Sequence, residues 1–276
     1  MNNFYQKRTL IAAHRGASSG NIPCNSMAAF ECALQQKADI IELDVSRTTD
    51  GKLFVFHPKM EPVFLGSQRL ISEMTSAEAE KLRFLNLDRC VTSYPVERLE
   101  DVLRALRGRC LINIDKFWGA PLEIGAVVRE LGMQDQVLVK SRMTKENLQA
   151  AEEYAKDIPY MALLHDEDHS DELLPLFHGR WAGAEACFCT EDAPVAQTAF
   201  IEKMHRLGAA VWVNALVYDE RVVLAAGHND DRSAAGDPDG GWGWLIDRGF
   251  DIIQTDFPLM LKAYLLDRNG SDSREN

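Results

Sequence analysis

Two acidic residues, Glu42 and Asp44, stand two positions apart in the apolar run Ile40-Ile41-Glu42-Leu43-Asp44-Val45. A strand alternates its faces, so both carboxylates leave one side while Ile41, Leu43 and Val45 leave the other. Paired carboxylates on one face can hold a hard cation through oxygen ligands. The run continues through Ser46-Arg47-Thr48-Thr49 to Asp50-Gly51 and returns as Lys52-Leu53-Phe54-Val55-Phe56-His57. Asp-Gly between two β-rich runs predicts a two-residue type I′ turn, whose central residues both need φ > 0. That register sets His57 opposite Asp44, bringing a group that titrates near neutral pH beside the carboxylate pair. The plain alternative is an edge hairpin whose polar residues face water.

Other residues able to do chemistry also close short apolar runs. His14-Arg15-Gly16 ends the first run, Asn113-Ile114-Asp115-Lys116 a later one, and Lys140-Ser141 another, while Trp212 and Asn214 share a fourth. Each has a bland reading: His14 a core histidine, Arg15 a surface ion pair, Asp115 a helix N-cap, Lys140 a solvated strand end. Trp212 either stacks on a substrate or fills the interior. A common location at strand ends favours one shared site.

The elements that would position these groups follow a βαβα rhythm. Strands are expected at Leu10–His14, Asp39–Val45, Leu53–His57, Cys110–Asp115, Gln136–Lys140, Pro159–Leu164, Gly183–Phe188, Ala209–Asn214 and Phe250–Thr255. The Val45-to-Leu53 connection is too short for a parallel crossover, so Leu53–His57 is the return arm of the hairpin. Eight strands remain, which predicts a (β/α)8 TIM barrel with a doubly wound open sheet as runner-up. Barrel enzymes place their reacting groups at the C-terminal strand ends. Helices are expected at Met27–Gln36, capped by Asn25 or Ser26, and at Ser76–Leu85, Glu100–Leu106, Glu123–Leu131, Lys145–Tyr154 and Ala196–Leu207. Residues 58–93 read as a rim insertion, and the acidic, Gly-rich stretch Gly227–Gly241 as a rim loop or a plain surface connection. The chain is expected to form a single domain over residues 1–276, with 269–276 a disordered polar tail.

Composition sets outer limits. The 276 residues suit one large α/β unit, and 46% hydrophobic with 26% charged residues is ordinary for a soluble protein. A formal charge of −12 argues against a nucleic-acid surface. No apolar run approaches a membrane span, so no membrane insertion is expected. Residues before the first strand lack a secretory h-region, which makes the cytoplasm the expected location. Cys24, Cys32, Cys90, Cys110, Cys187 and Cys189 form no CxxC pair and read as buried thiols.

The ordered motifs resemble those of the glycerophosphodiester phosphodiesterase family. They are His14-Arg15-Gly16, Asn25-Ser26-Met27-Ala28-Ala29-Phe30, Ala38-Asp39-Ile40-Ile41-Glu42-Leu43-Asp44-Val45, Thr48-Thr49-Asp50-Gly51 and His57. Pro95 to Leu103, Val211-Trp212-Val213-Asn214 and Ile252-Ile253-Gln254-Thr255-Asp256-Phe257-Pro258 resemble its later landmarks. His-Arg-Gly alone carries little weight, but followed by Glu-x-Asp, Asp-Gly and His at these distances it is specific. The resemblance implies a TIM-barrel hydrolase acting on small glycerophosphodiesters to give glycerol 3-phosphate and an alcohol. It implies a divalent metal, Mg2+ or Ca2+, held by Glu42, Asp44 and Asp115, with His14 and His57 as general acid and base. Arg15, with Lys140, would hold the phosphate and Trp212 would line the substrate pocket. Attack by water or by a neighbouring glycerol hydroxyl stays open, as do the order of the histidines and the oligomeric state.

Four positions depart from the family pattern. Cys24 and Pro58 replace acidic residues, Asp115 stands for a glutamate, and Phe117 for a lysine. Strand alternation would turn Lys116 away from Asp115, which makes Lys140 the expected substitute. A lysophospholipase D or cyclising phospholipid phosphodiesterase on the same barrel is the alternative function. A metal-dependent sugar isomerase or aldolase, or a non-catalytic barrel, is less favoured, since a scaffold has no need of both histidines.

Overall fold

Short apolar runs separated by amphipathic segments fold into alternating strands and helices along most of the chain. The computed structural model describes residues 3–6, 8–165, 170–218 and 221–272. In chain order its strands are β1 (Leu10–Ala13), β2 (Ile40–Arg47), β3 (Leu53–Val55), β4 (Arg83–Leu85), β5 (Val91–Pro95) and β6 (Leu111–Asp115). They continue as β7 (Val137–Arg142), β8 (Tyr160–Leu164), β9 (Trp181–Ala186), β10 (Ala210–Asn214) and β11 (Ile252–Thr255). The parallel order β1-β11-β10-β9-β8-β7-β6-β2 closes through β1 pairing with β2, giving the expected eight-stranded barrel.

The α-helices are α1 (Met27–Gln35), α2 (Glu61–Phe64), α3 (Ser76–Ala79), α4 (Leu99–Leu106), α5 (Pro121–Glu130) and α6 (Lys145–Ala155). They are followed by α7 (Ser170–Leu173), α8 (Thr198–Arg206), α9 (Asp230–Ala234), α10 (Trp244–Arg248) and α11 (Pro258–Asp272). Ser26 caps α1, its hydroxyl accepting from the Ala29 amide at 3.2 Å. No helix among the described residues is long and apolar enough to cross a membrane.

Alternation sorts each barrel strand into two columns. The outward column, including Ile11, Ala13, Ile41, Leu43 and Val45, packs on α1 and α4 through Phe30, Leu99, Val102 and Leu106. The inward column is apolar at the bottom, where Leu10, Ala12, Ile40, Leu138, Ala210, Trp212 and Ile252 close a second cluster with Phe4. Burying each such Leu or Ile contributes about 1.5–3 kcal/mol. Toward the C-terminal strand ends the same column turns polar, through Glu42, Asp44, Asn113, Asp115, Lys140, Glu185, Asn214 and Gln254.

Several expectations need correction. The hairpin pairs Val45 with Val55, Ser46 with Phe54 and Arg47 with Leu53, one residue off the expected register. Of the Asp50-Gly51 pair only Gly51 has positive φ, at 77°, so the turn is not type I′. Asp50 is held instead by the Thr48 hydroxyl at 2.7 Å and by the Ser76 amide at 2.9 Å, and Thr48 closes a longer turn by donating its amide to the Lys52 carbonyl. The helix expected over Ser76–Leu85 stops at Ala79, because Phe84 turns into a rim cluster with Phe54, Phe56, Ile71 and Val96. Arg83–Leu85 instead pairs antiparallel with Val91–Pro95. Helix α11 runs through Asp272, four residues into the expected tail, while 273–276 lie outside the described residues. All six thiols are free, but only Cys187 is buried: Cys24, Cys32 and Cys110 are partly buried, and Cys90 and Cys189 are exposed.

Candidate active site

The polar upper end of the inward column gathers His14, Arg15, Glu42, Asp44, Asp115 and Lys140 around one cavity of about 40 Å3 at the C-terminal mouth. The turn after β1 builds one wall. Gly16 takes φ 81°, and a Cβ there would lie 2.7 Å from the Ala29 carbonyl carbon, so only glycine lets the turn sit on α1. Arg15, at φ 54°, donates its amide to Glu42 Oε2 at 2.9 Å and sets its guanidinium Nε 2.8 Å from Asp44 Oδ2. Burial would lower the guanidinium pKa, but Asp44 and Glu42 outweigh it and raise it.

Asp44 is also gripped by Asn25, which donates Nδ2–H to Oδ2 at 2.9 Å and accepts the Asp44 amide at 3.2 Å. Its carboxyl is buried, yet Arg15, Lys116 and His57 together hold it below the usual range. Glu42 goes the other way: burial and then Asp44 beside it push it up to about 7. One ligand atom each from Glu42, Asp44 and Asp115 lies within 4.8 Å of the others. Asp44 Oδ1 and Asp115 Oδ1 are buried without a hydrogen-bond partner. Three converging carboxylates, two of them with an unpartnered buried oxygen, suit a hard divalent cation.

His57 arrives by a different route from the one the turn predicted. The Phe56 amide donates to the Asp44 carbonyl at 3.0 Å, the chain bends, and His57 Nε2 comes to 4.0 Å from Asp44 Oδ1. Burial, opposed by Asp44, lowers the imidazole pKa. His14, on the opposite side, contacts Asp256 Oδ1 through Nδ1 at 2.9 Å and the Tyr218 hydroxyl through Nε2 at 3.3 Å.

Both lysines face the site. Lys116 adopts φ 62°, which breaks strand alternation, so its ammonium pairs with Asp115 and lies 3.6 Å from Asp44 Oδ1. The expectation that Lys116 points away fails for that reason. Lys140 is buried and held below the mouth, 2.7 Å from Glu185 Oε2 and 3.0 Å over the Trp212 ring. Burial lowers its pKa against the pull of Glu185. Trp212 does not line the cavity. It is fully buried, its indole N–H shared between Asn214 Oδ1 at 3.1 Å and Gln254 Oε1 at 3.0 Å, so it fills the barrel instead of a substrate pocket.

Asn25, Glu185 and Asp256 were not singled out for these roles, though the strand-end rule that found Asp115 would also have found Asp256. Tyr218, on the irregular segment after β10, carries no periodic signal.

The chain is similar to several known proteins. A family profile described only as a domain of unknown function matches residues 160–265. A Bacillus altitudinis protein named glycerophosphodiester phosphodiesterase is 34% identical over 145 residues, covering 48% of this chain and 58% of that protein. The chain thus spans little more than half the length of the curated relatives it first matches. The crystal structure of a glycerophosphodiester phosphodiesterase from Agrobacterium tumefaciens is 28% identical, with a TM-score of 0.68 over 92% of this chain and 99% of that one. An Oleispira antarctica phosphodiesterase, solved with sn-glycerol 3-phosphate, shares the fold at 19% identity and a TM-score of 0.69, covering 94% of this chain and 97% of that one. With the ordered motifs and the closed barrel, these likenesses support an assignment to the glycerophosphodiester phosphodiesterase family.

Proposed function

We propose that the chain is a metal-dependent phosphodiesterase that hydrolyses glycerophosphodiesters to glycerol 3-phosphate and an alcohol. The observation that carries this reading is the convergence of two histidines, an arginine and three carboxylates at one barrel mouth. A divalent ion, Mg2+ or Ca2+, held by Glu42, Asp44 and Asp115 would polarise a phosphoryl oxygen and offset charge developing in the transition state. Arg15, kept charged by Asp44, binds a second phosphate oxygen through charge-assisted hydrogen bonds. Lys116 supplies a further positive charge at the mouth, whereas Lys140 is committed to Glu185. One histidine accepts the proton of the attacking water, or of a neighbouring glycerol hydroxyl whose cyclic phosphate product water then opens, as the attacking oxygen bonds to phosphorus. The other donates a proton to the alcohol oxygen as the P–O bond to it breaks.

Six free cysteines, two of them exposed, fit a reducing compartment such as the cytoplasm. The test is a coupled glycerol 3-phosphate assay over several diesters with Mg2+ or Ca2+. Turnover of at least one is expected, and none with any divalent ion would refute the reading. A cavity of about 230 Å3 beside Cys24, walled by Ile22, Pro23, Phe64, Leu85 and Leu87, favours a lysophospholipase D as the second reading. Faster turnover of a lysophospholipid than of glycerophosphocholine would select it.

A further inference from the structure

We propose that Asp256 sets the tautomer and direction of His14, and that Asp230 is the positioning residue that holds Asp256 for that task. This role rests on the proton transfer assigned above to His14. An ionised carboxylate only accepts hydrogen bonds, so a neutral His14 facing Asp256 Oδ1 at 2.9 Å must carry its proton on Nδ1. The lone pair is then on Nε2, which faces the cavity and the Tyr218 hydroxyl at 3.3 Å. Carboxylates in this position also stabilise the imidazolium formed when Nε2 takes a proton.

Asp256 has a half-exposed side chain and lies just past the end of β11, so its direction has to be imposed by its backbone. Asp230 does this. It is 1% exposed, and its Oδ2 accepts the Asp256 amide at 2.7 Å. Its Oδ1 accepts both the Thr255 hydroxyl and the Trp242 indole N–H, each at 2.7 Å. The Asp230 amide in turn donates to the Ala215 carbonyl at 2.8 Å, which fastens it to the end of β10. The stretch Gly227–Gly241 is therefore no plain connection. Through Asp230 it ties the ends of two neighbouring barrel strands together beneath His14.

The test reads the tautomer directly. Two-bond 1H–15N spectra of metal-free protein, with the His14 signal assigned by His14→Gln, should show the parent protonated on Nδ1. Asp256→Ala, at an exposed side chain, should fold normally and move His14 to the Nε2–H form that free imidazole prefers. It should lower kcat about 10- to 100-fold while leaving KM nearly unchanged. Asp230→Asn, which turns an NH2 group against fixed donors, and Thr255→Val, which removes one donor, should move the tautomer the same way with smaller losses. An unchanged tautomer in Asp256→Ala, or in both Asp230→Asn and Thr255→Val, would overturn the assignment. If the parent turned over no diester, the function would fall while the spectra still decided the tautomer.

Discussion

Asp44 joins the two halves of the site: Arg15 and Asn25 hold Oδ2, while His57 and Lys116 stand 4.0 and 3.6 Å from Oδ1. A residue so placed would link the proposed cation site to the proposed acid–base pair. Replacing His14 or His57 by Ala should lower kcat by about 10² to 10⁴, the usual contribution of general acid–base catalysis, with cooperative melting retained. Near-parent turnover in either variant would return that histidine to a structural role. Asp115→Asn keeps a ligand oxygen but loses its charge, so the ion concentration for half-maximal activity should rise. An unchanged metal requirement, measured by titrating Mg2+ or Ca2+ into chelated enzyme, would make Asp115 a cap of the following turn. Glu42, Asp44 and Asp115 were legible as neighbours because strand alternation fixes which side chains share a face, whereas His57 reaches Asp44 through a bend after the hairpin and not through the expected register. Lys116 was not legible, because its left-handed backbone lies outside that rule.

Among the elements, the hairpin and rim are fastened by Asp50, whose carboxylate accepts from Thr48 Oγ1, the Ser76 amide and the Ser76 hydroxyl at 2.7–2.9 Å. The Thr48 and Ser76 side-chain hydrogen bonds hold its pKa at about 2, below the ordinary 3.8. A depressed carboxylate stabilises the fold above its unfolded pKa and loses that contribution as pH falls through the folded value. Asp50→Asn should therefore melt below the parent at about pH 5, with the gap closing toward about pH 2. A constant gap across that window would mean that charge at Asp50 plays no part. Inside the barrel, Lys140 from β7 meets Glu185 from β9. Lys140→Met leaves a buried carboxylate with only Asn214 and the weakly donating Cys187 thiol as side-chain hydrogen-bond partners among the described residues, and should cost about 3–5 kcal/mol in urea unfolding. Adding Glu185→Leu should restore most of it, since removing both charges leaves nothing uncompensated. A double variant as unstable as the single would assign the loss to packing against Trp212.

At the scale of the whole molecule, a ligand that binds only the folded chain raises its melting temperature by mass action, about 2.7 kcal/mol at a hundred times Kd. Mg2+ or Ca2+ should raise the Tm of the parent and do so much less for Asp115→Asn, whatever the activity. Equal shifts in both would place the ion elsewhere. The barrel itself was readable from the chain. Short β-rich runs spaced by helical segments leave few alternatives, and the brief Val45-to-Leu53 connection already excluded a ninth barrel strand. The hairpin was legible as an element but not in its register, which Thr48, Asp50 and Ser76 set together across 26 residues. Sequence by itself thus determined which residues of the regular strands point inward and at which strand ends they lie, Lys116 with its left-handed backbone excepted. Only the tertiary structure decided which of them meet: barrel closure pairs β1 with β11 and brings Asp256 against His14 across 242 residues, a contact that no local periodicity can encode.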